Sequence, residues 1–354
     1  MKVLVAPLNW GLGHATRCIP IIQHYLSQGD EVILGGDGDS LLLLKRTFPS
    51  LRCIDLPSLE LRYTINTQQR GFYLRAIWAL IRFTIADHYY LGQELAKERI
   101  DLIISDNRFG CFSRDVRSVY ITHQLYPILP HRLRIWQPIA RAVHARIYKR
   151  YDEVWVPDHA DPINNLSGEL SHGGPFDKYA KYIGPLSRFS NPVCKGMIRN
   201  RQISSKNYSI VAILSGLEPQ RTIFEQELLQ RFSDATEQAL LIRGKVSDPH
   251  TVINKGRLTI RPYITDEELI SVVQSAHLII TRSGYSTIMD LEALGVLHKA
   301  ELHPTPGQSE QEYLAQILMH RLGSFSAISP SKMNSASGPR WTGTRPTASP
   351  PGRS

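Results

Sequence analysis

Apolar residues in this chain come in short runs separated by glycine-rich or polar loops and by longer stretches with helical spacing. KVLVAPL at the start reads as a strand, RCIPIIQHYLSQG after a glycine loop predicts a helix ended by Gly29, and EVILGG predicts the next strand. DLIISD (Asp101 to Asp106), SVYITHQ (Ser118 to Gln124) and EVWVPD (Glu153 to Asp158) continue the alternation. Such near-continuous apolar runs fit parallel strands buried on both faces. Pro185 to Ser205 is polar and broken by Pro192 and Gly196, as a linker would be. A second series follows through YSIVAILSG, QALLIRG, RLTIRPY and HLIITRSG, with a weaker strand at KAELH, where Glu301 and His303 predict loose pairing. The pattern predicts an α/β protein of two Rossmann-like domains, residues 1–186 and 187–323. The remaining 324–354 is rich in Ser, Pro and Gly and should be disordered.

Two stretches are ambiguous. Phe72 to Leu91 is strongly apolar, yet Arg75, Arg82, Asp87 and His88 interrupt it short of the ~20 clean residues a membrane span needs, so a buried or half-buried helix is expected. HRLRIWQPIARAVHARIYKRY, residues 131–151, sets Trp136, Ile139, Val143 and Ile147 at helical spacing against six Arg and Lys residues. It reads equally as a core helix with a solvated basic face or as a surface for an anionic membrane.

Composition narrows the classes. The 354 residues exceed the size at which one core usually splits, and 42% hydrophobic content is that of a globular protein. The net charge is +9, but Lys332, Arg340, Arg345 and Arg353 lie after Phe325 with no acid among them, so the rest is only moderately basic. No nucleic-acid-binding module is recognisable. Cys18, Cys53, Cys111 and Cys194 are far apart with no C-x-x-C spacing, which argues against a zinc site or a disulfide framework and fits a reducing cytoplasm. VLVAPL is too short for the apolar region of a signal peptide.

Candidate chemistry gathers in loops expected at strand carboxyl ends, where open α/β sheets bind ligands. After LIITR, the segment RSGYSTIMDLEALG offers Ser283, Gly284, Ser286 and Thr287 at a helix N-terminus, a seat for phosphate. Asp290, one turn on, could accept hydrogen bonds from a ribose diol. PTPGQSEQEYLA adds Gln308, Glu310 and Gln311. Ser215 and Gly216 follow another strand, and Arg221 or Arg243 could offset diphosphate charge; Arg282 either joins them or anchors the loop. In the first half, Gly11 and Gly13 let the turn approach a ligand, and His14 at the helix start is a candidate general base or simply a helix-start histidine. Arg17 would orient the loop or meet an anion. Asp106 could act as base, orient His14 or cap a turn, with Asn107, His123 and Gln124 beside it.

These motifs resemble family 28 glycosyltransferases, which include the MurG-type N-acetylglucosaminyl transferases. NWGLGHATR (Asn9 to Arg17) is similar to the glycine loop and histidine that open such enzymes, and the Arg282 to Gly295 and Pro304 to Ala315 segments to their carboxyl-terminal domain. SDNRFG and the stretch from Ser215 to Thr222 complete the order, over roughly the first 315 residues. The resemblance implies two Rossmann-like domains facing across a cleft, the GT-B architecture. It implies a hexosyltransferase moving a sugar, best N-acetylglucosamine, from a UDP-sugar to a carbohydrate or lipid-linked acceptor with inversion. Neither a cofactor nor a metal is expected, because no D-x-D pair or His/Asp cluster suggests a dedicated metal site. A cytoplasmic protein is expected, with peripheral contact at the inner face of the plasma membrane. The alternatives are a UDP-sugar 2-epimerase of the same fold and a non-catalytic nucleotide-binding remnant. The last arises because the tail looks truncated or out of frame, without the final helix that in such enzymes crosses back to the first domain.

Overall fold

A computed structural model describes residues 1–59, 72–190, 207–216, 218–245 and 251–322; the expected disordered tail and the last cysteine lie outside these residues. The first half supplies β1 (Lys2–Pro7), α1 (Gly13–Ser27), β2 (Glu31–Gly36), α2 (Gly38–Thr47), β3 (Arg52–Asp55), α3 (Phe72–Lys97) and β4 (Leu102–Asp106). It continues through β5 (Arg117–Ile121), α4 (Gln137–Tyr148), β6 (Glu153–Val156) and β7 (Ala180–Tyr182). The second half contains β8 (Ile210–Ile213), α5 (Gln220–Arg231), β9 (Ala239–Ile242), β10 (Ile253–Lys255), β11 (Leu258–Arg261) and α6 (Asp266–Ser275). It closes with β12 (Leu278–Arg282), α7 (Tyr285–Ala293), β13 (Ala300–His303) and α8 (Ser309–Leu322).

Two sheets result, ordered β3-β2-β1-β4-β5-β6-β7 and β10-β11-β9-β8-β12-β13. All pairs are parallel except β10 with β11. Alternating side chains of β1 enter different cores: Val3 and Val5 pack with Ala15, Ile19 and Leu41 under α1 and α2, whereas Leu4 and Ala6 meet Leu91 of α3. In the second sheet Val211, Leu240 and Ile279 face one layer while Ala212, Leu241 and Ile280 face the other. Strand order reverses between β1 and β4 and between β8 and β12, and the loops leaving these four carboxyl ends converge.

Two local expectations, for β13 and α4, need correction, and α3 is half-buried as expected. β13 pairs with β12 through four residues, Ala300 to His303. Its acid is matched rather than exposed: Glu301 accepts from Arg231 Nη1 at 2.6 Å and lies 2.7 Å from His303 Nε2. Burial alone would raise its carboxyl, but these partners hold it down at about 2. The apolar stripe of α4 is not a core face, since Trp136, Ile139 and Val143 are exposed. On α3, Phe83, Asp87 and Leu91 are buried, but Trp78 is 65% exposed and Ile77, Ile81, Ile85 and Tyr89 also face outward. No helix among the described residues is long and apolar enough to cross a membrane.

α8 contacts the first half. Its Tyr313 hydroxyl accepts from Glu169 N at 2.7 Å, and Arg321 donates to the Asn165 carbonyl, so the second half grips residues 165–170 of the first.

Candidate active site

Two helix N-termini meet in the cleft. α1 follows Leu12 and α7 follows Gly284; neither has a side-chain cap or an acid in its first turn. Their amides and dipoles are therefore uncompensated by protein carboxylates. Gly13 is required at this junction, because a Cβ built there would lie 2.9 Å from Ser286 Oγ and 3.0 Å from its Cβ. Gly11, at φ +79°, turns the preceding loop toward Gly216 of the other half.

A cavity opens on each side of this junction, and the two share Gly11, Gly13, Ser215, Gly216, Ser286 and Thr287. The first, about 290 Å³, adds Arg221 and Asp290. Phe189, Tyr263 and Ile264 provide its apolar wall. The second, about 390 Å³, adds His14, Arg17, Asn107 and His123 from the first half. Gln308, Glu310 and Gln311 face them from the second half, and Trp10, Leu80, Phe109, Tyr120 and His144 complete the wall.

His14, Arg17 and Asp106 form one unit, with Arg17 and Asp106 buried and His14 half-buried. His14 Nδ1 lies 3.0 Å from Asp106 Oδ1, and Arg17 donates to both carboxylate oxygens through Nε and Nη2. Burial alone would raise the Asp106 carboxyl, but Arg17 and His14 overrule it and hold the group well below the usual carboxylate range. Burial and the Arg17 charge push His14 down from its ordinary value, against the opposing pull of Asp106. Asp106 is fully buried, so it can act on a ligand only through the groups it holds, His14 and Arg17. The chain of contacts continues across the cleft: Arg17 Nη1 is 2.9 Å from His123 Nδ1, and His123 Nε2 is 2.7 Å from Glu310 Oε1. Gln124 Nε2 also donates to Glu310.

Asp290 accepts from Ser187 Oγ at 2.7 Å and lies 3.7 Å from Arg188 Nε. Burial pushes its carboxyl up to about 6, against the counter-pull of Arg188 and Ser187. Other expected contacts stand back. Ser283 is buried and donates to the Gln311 carbonyl at 2.8 Å. Arg282 donates to the carbonyls of Pro304 and Gln220 and stacks 4.0 Å over Phe224, so it anchors the loop. Arg243 pairs with Glu225, and Arg221 with Glu218 at the cavity edge. Gln311 holds Thr305 N and donates to Gln308. No group of three or more His, Cys, Asp or Glu side chains set to hold a metal occurs among the described residues.

Tyr285, Ser187 and Arg188 were not anticipated. Tyr285 stacks on His123 at 4.3 Å between centroids and donates to the Pro157 carbonyl at 2.9 Å, joining the halves. It lies inside the motif, where the small residues around it carry the phosphate-seat signal. Ser187 and Arg188 read only as linker, and nothing in their spacing pointed to Asp290.

No family model matches the chain. A protein of Methanosarcina acetivorans named an uncharacterized glycosyltransferase is 23% identical over 339 residues, covering 90% of this chain and 83% of the relative. A solved glycotransferase of kitacinnamycin superposes with a TM-score of 0.57 at 15% identity, over 90% of this chain and 84% of that one. A UDP-glucosyltransferase from Polygonum tinctorium, capable of glucosylating indoxyl, gives a TM-score of 0.56 at 15% identity, over 90% and 82%. These likenesses establish the GT-B fold expected from the sequence, and the relative's name supports a transferase.

Proposed function

We propose that this chain is a glycosyltransferase that moves N-acetylglucosamine from its UDP-linked form to an acceptor hydroxyl with inversion. The observation that carries this reading is the meeting of two uncapped helix N-termini beside a half-buried His14 held by the buried Asp106. The helix ends suit a diphosphate, and the pair suits proton removal. The uracil and ribose would occupy the first cavity, with Asp290 accepting from the ribose diol. The family 28 likeness of the two carboxyl-terminal motifs supports UDP-N-acetylglucosamine as donor, and Glu310 and Gln311, which line the second cavity, would meet its sugar hydroxyls. His14 takes the acceptor proton, the acceptor oxygen bonds to the anomeric carbon, and the bond from that carbon to the diphosphate breaks. UDP departs against the α7 N-terminus and Arg221.

The donor half of this reading is tested by thermal protection. UDP-N-acetylglucosamine should raise the unfolding midpoint by mass action, and no protection by any UDP-sugar would sink the proposal. Protection should also depend on pH through Asp290. Its carboxyl titrates at about 6, and the ionised form accepts the two ribose hydroxyls more strongly than the neutral acid, so affinity rises between pH 5 and 7. A gain of about tenfold is expected from one charge-assisted bond. The donor diphosphate is esterified at both ends and does not titrate there. Asp290→Asn should flatten the profile; an unchanged slope would remove Asp290 from the donor site.

The acceptor would enter through the second cavity, whose apolar wall includes Leu80 of α3 and His144 of α4. Both helices expose apolar stripes among basic residues, Arg75 and Arg82 on one and Arg141 and Arg146 on the other. This supports peripheral contact of residues 131–151, together with α3, with an anionic membrane carrying a lipid-linked acceptor. The chain should sediment with phosphatidylcholine vesicles containing phosphatidylglycerol and not with phosphatidylcholine alone. The double change Trp78→Glu and Trp136→Glu should abolish that binding; retention would exclude this face.

A further inference from the structure

Two partners make opposite demands on one atom. His14 Nδ1 lies 2.8 Å from Arg17 Nη2 and 3.0 Å from Asp106 Oδ1. A guanidinium only donates hydrogen bonds and an ionised carboxylate only accepts them. Held by Asp106, Nδ1 carries the proton and Nε2 keeps the lone pair that a base needs. Held by Arg17, Nδ1 is bare and the proton sits on Nε2.

The surrounding bonds decide between them. Asp106 is already supplied by Arg17 Nε and Nη2 and, at 3.6 Å, by the Cys18 thiol. Arg17 is 1% exposed, and beyond Asp106 it meets His123 Nδ1 and His14 Nδ1. A proton on His14 Nδ1 would set two donors against each other and leave a buried N–H of Arg17 without an acceptor, at a desolvation cost. His123 obeys the same rule: it accepts from Arg17 at Nδ1 and faces the Glu310 carboxylate with Nε2.

We propose that Arg17 fixes the proton of His14 on Nε2 in the ligand-free chain, so that the base is switched off until Arg17 Nη2 withdraws from Nδ1. The consequence for catalysis rests on His14 being the base; the proton position does not. Switching on moves one hydrogen from Nε2 to Nδ1 and changes no net charge. Arg17 is thus a positioning residue acting through His14. The charged and titratable groups facing His14 are Arg17 on α1, Asp106 at the end of β4, His123 beyond β5, and Glu310 on α8, while the Cys18 thiol faces Asp106.

The test is long-range proton–nitrogen NMR of the full chain labelled with 15N-histidine, near neutral pH, with His14 identified by its loss in His14→Gln. The expected spectrum has an unprotonated Nδ1 and a protonated Nε2. Arg17→Lys keeps a positive charge beside Asp106 but lacks the fork needed to reach both groups, and the proton should move to Nδ1. A protonated Nδ1 in the unaltered chain would overturn the proposal by itself, whether or not the lysine variant folds. So would a lysine variant that leaves the proton on Nε2. Protection by UDP-N-acetylglucosamine, measured on the same samples, reports on the donor site separately: its absence would sink the functional reading and leave the tautomer result standing.

Discussion

Replacing His14 with Ala should lower turnover by about 10²- to 10⁴-fold, the range typical of a lost general base, while UDP-N-acetylglucosamine still protects the chain against heat. The separation follows from position. His14 lines the second cavity, whereas Asp290 and Arg221 line the first, and His14 is absent from that wall. The pH profile carries the same signature. Burial and Arg17 lower the pKa of His14, so the neutral ring persists below the pH at which an ordinary histidine would protonate. Turnover at saturating donor should therefore fall on the acid side only as pH passes through that lowered value. Normal turnover of the alanine variant, in an assay following UDP release, would eliminate His14 as base.

Arg108→Leu should destabilise the fold by about 3–5 kcal/mol, because it leaves buried carboxylates without their cation. Arg108 is fully buried; its Nη2 donates to Asp87 at 2.7 Å and its Nη1 to Asp37 at 2.9 Å. It also donates to the carbonyls of Pro7 and Pro57, so one guanidinium ties α3, the β2–α2 turn and the chain beyond β1 and β3. The midpoint of thermal unfolding should drop by on the order of 10 °C. The loss has a pH sign. Burial already raises the Asp87 carboxyl, and Arg108 opposes that shift, so its removal lets the carboxyl rise further. A folded-state pKa above the unfolded one favours folding at low pH, so the deficit should shrink between pH 8 and pH 5. Calorimetry at both values decides it: a midpoint unchanged at pH 8 would mean that the triad contributes nothing.

The architecture was legible because buried parallel strands announce themselves as short apolar runs, as KVLVAP and LIITR do. Strands with one buried residue or none, such as β3 and β10, gave no such signal. Loop residues near the cleft were legible as small and polar groups at strand ends, but their partners were not. Arg17 meets Asp106 across 89 positions and His123 meets Glu310 across 187, and no local spacing encodes those distances. The exposed stripes of α3 and α4 show another limit. Periodicity tells which side chains share a face; whether that face turns inward depends on neighbours elsewhere in the chain.

The bare backbone at Gly13 has a mechanical consequence. Because the Ser286 side chain occupies the spot where one more carbon would project, that residue acts as a spacer of zero thickness between the lobes. Even a methyl group there would behave as a wedge, driving the helix tips apart and loosening whatever is clasped between them.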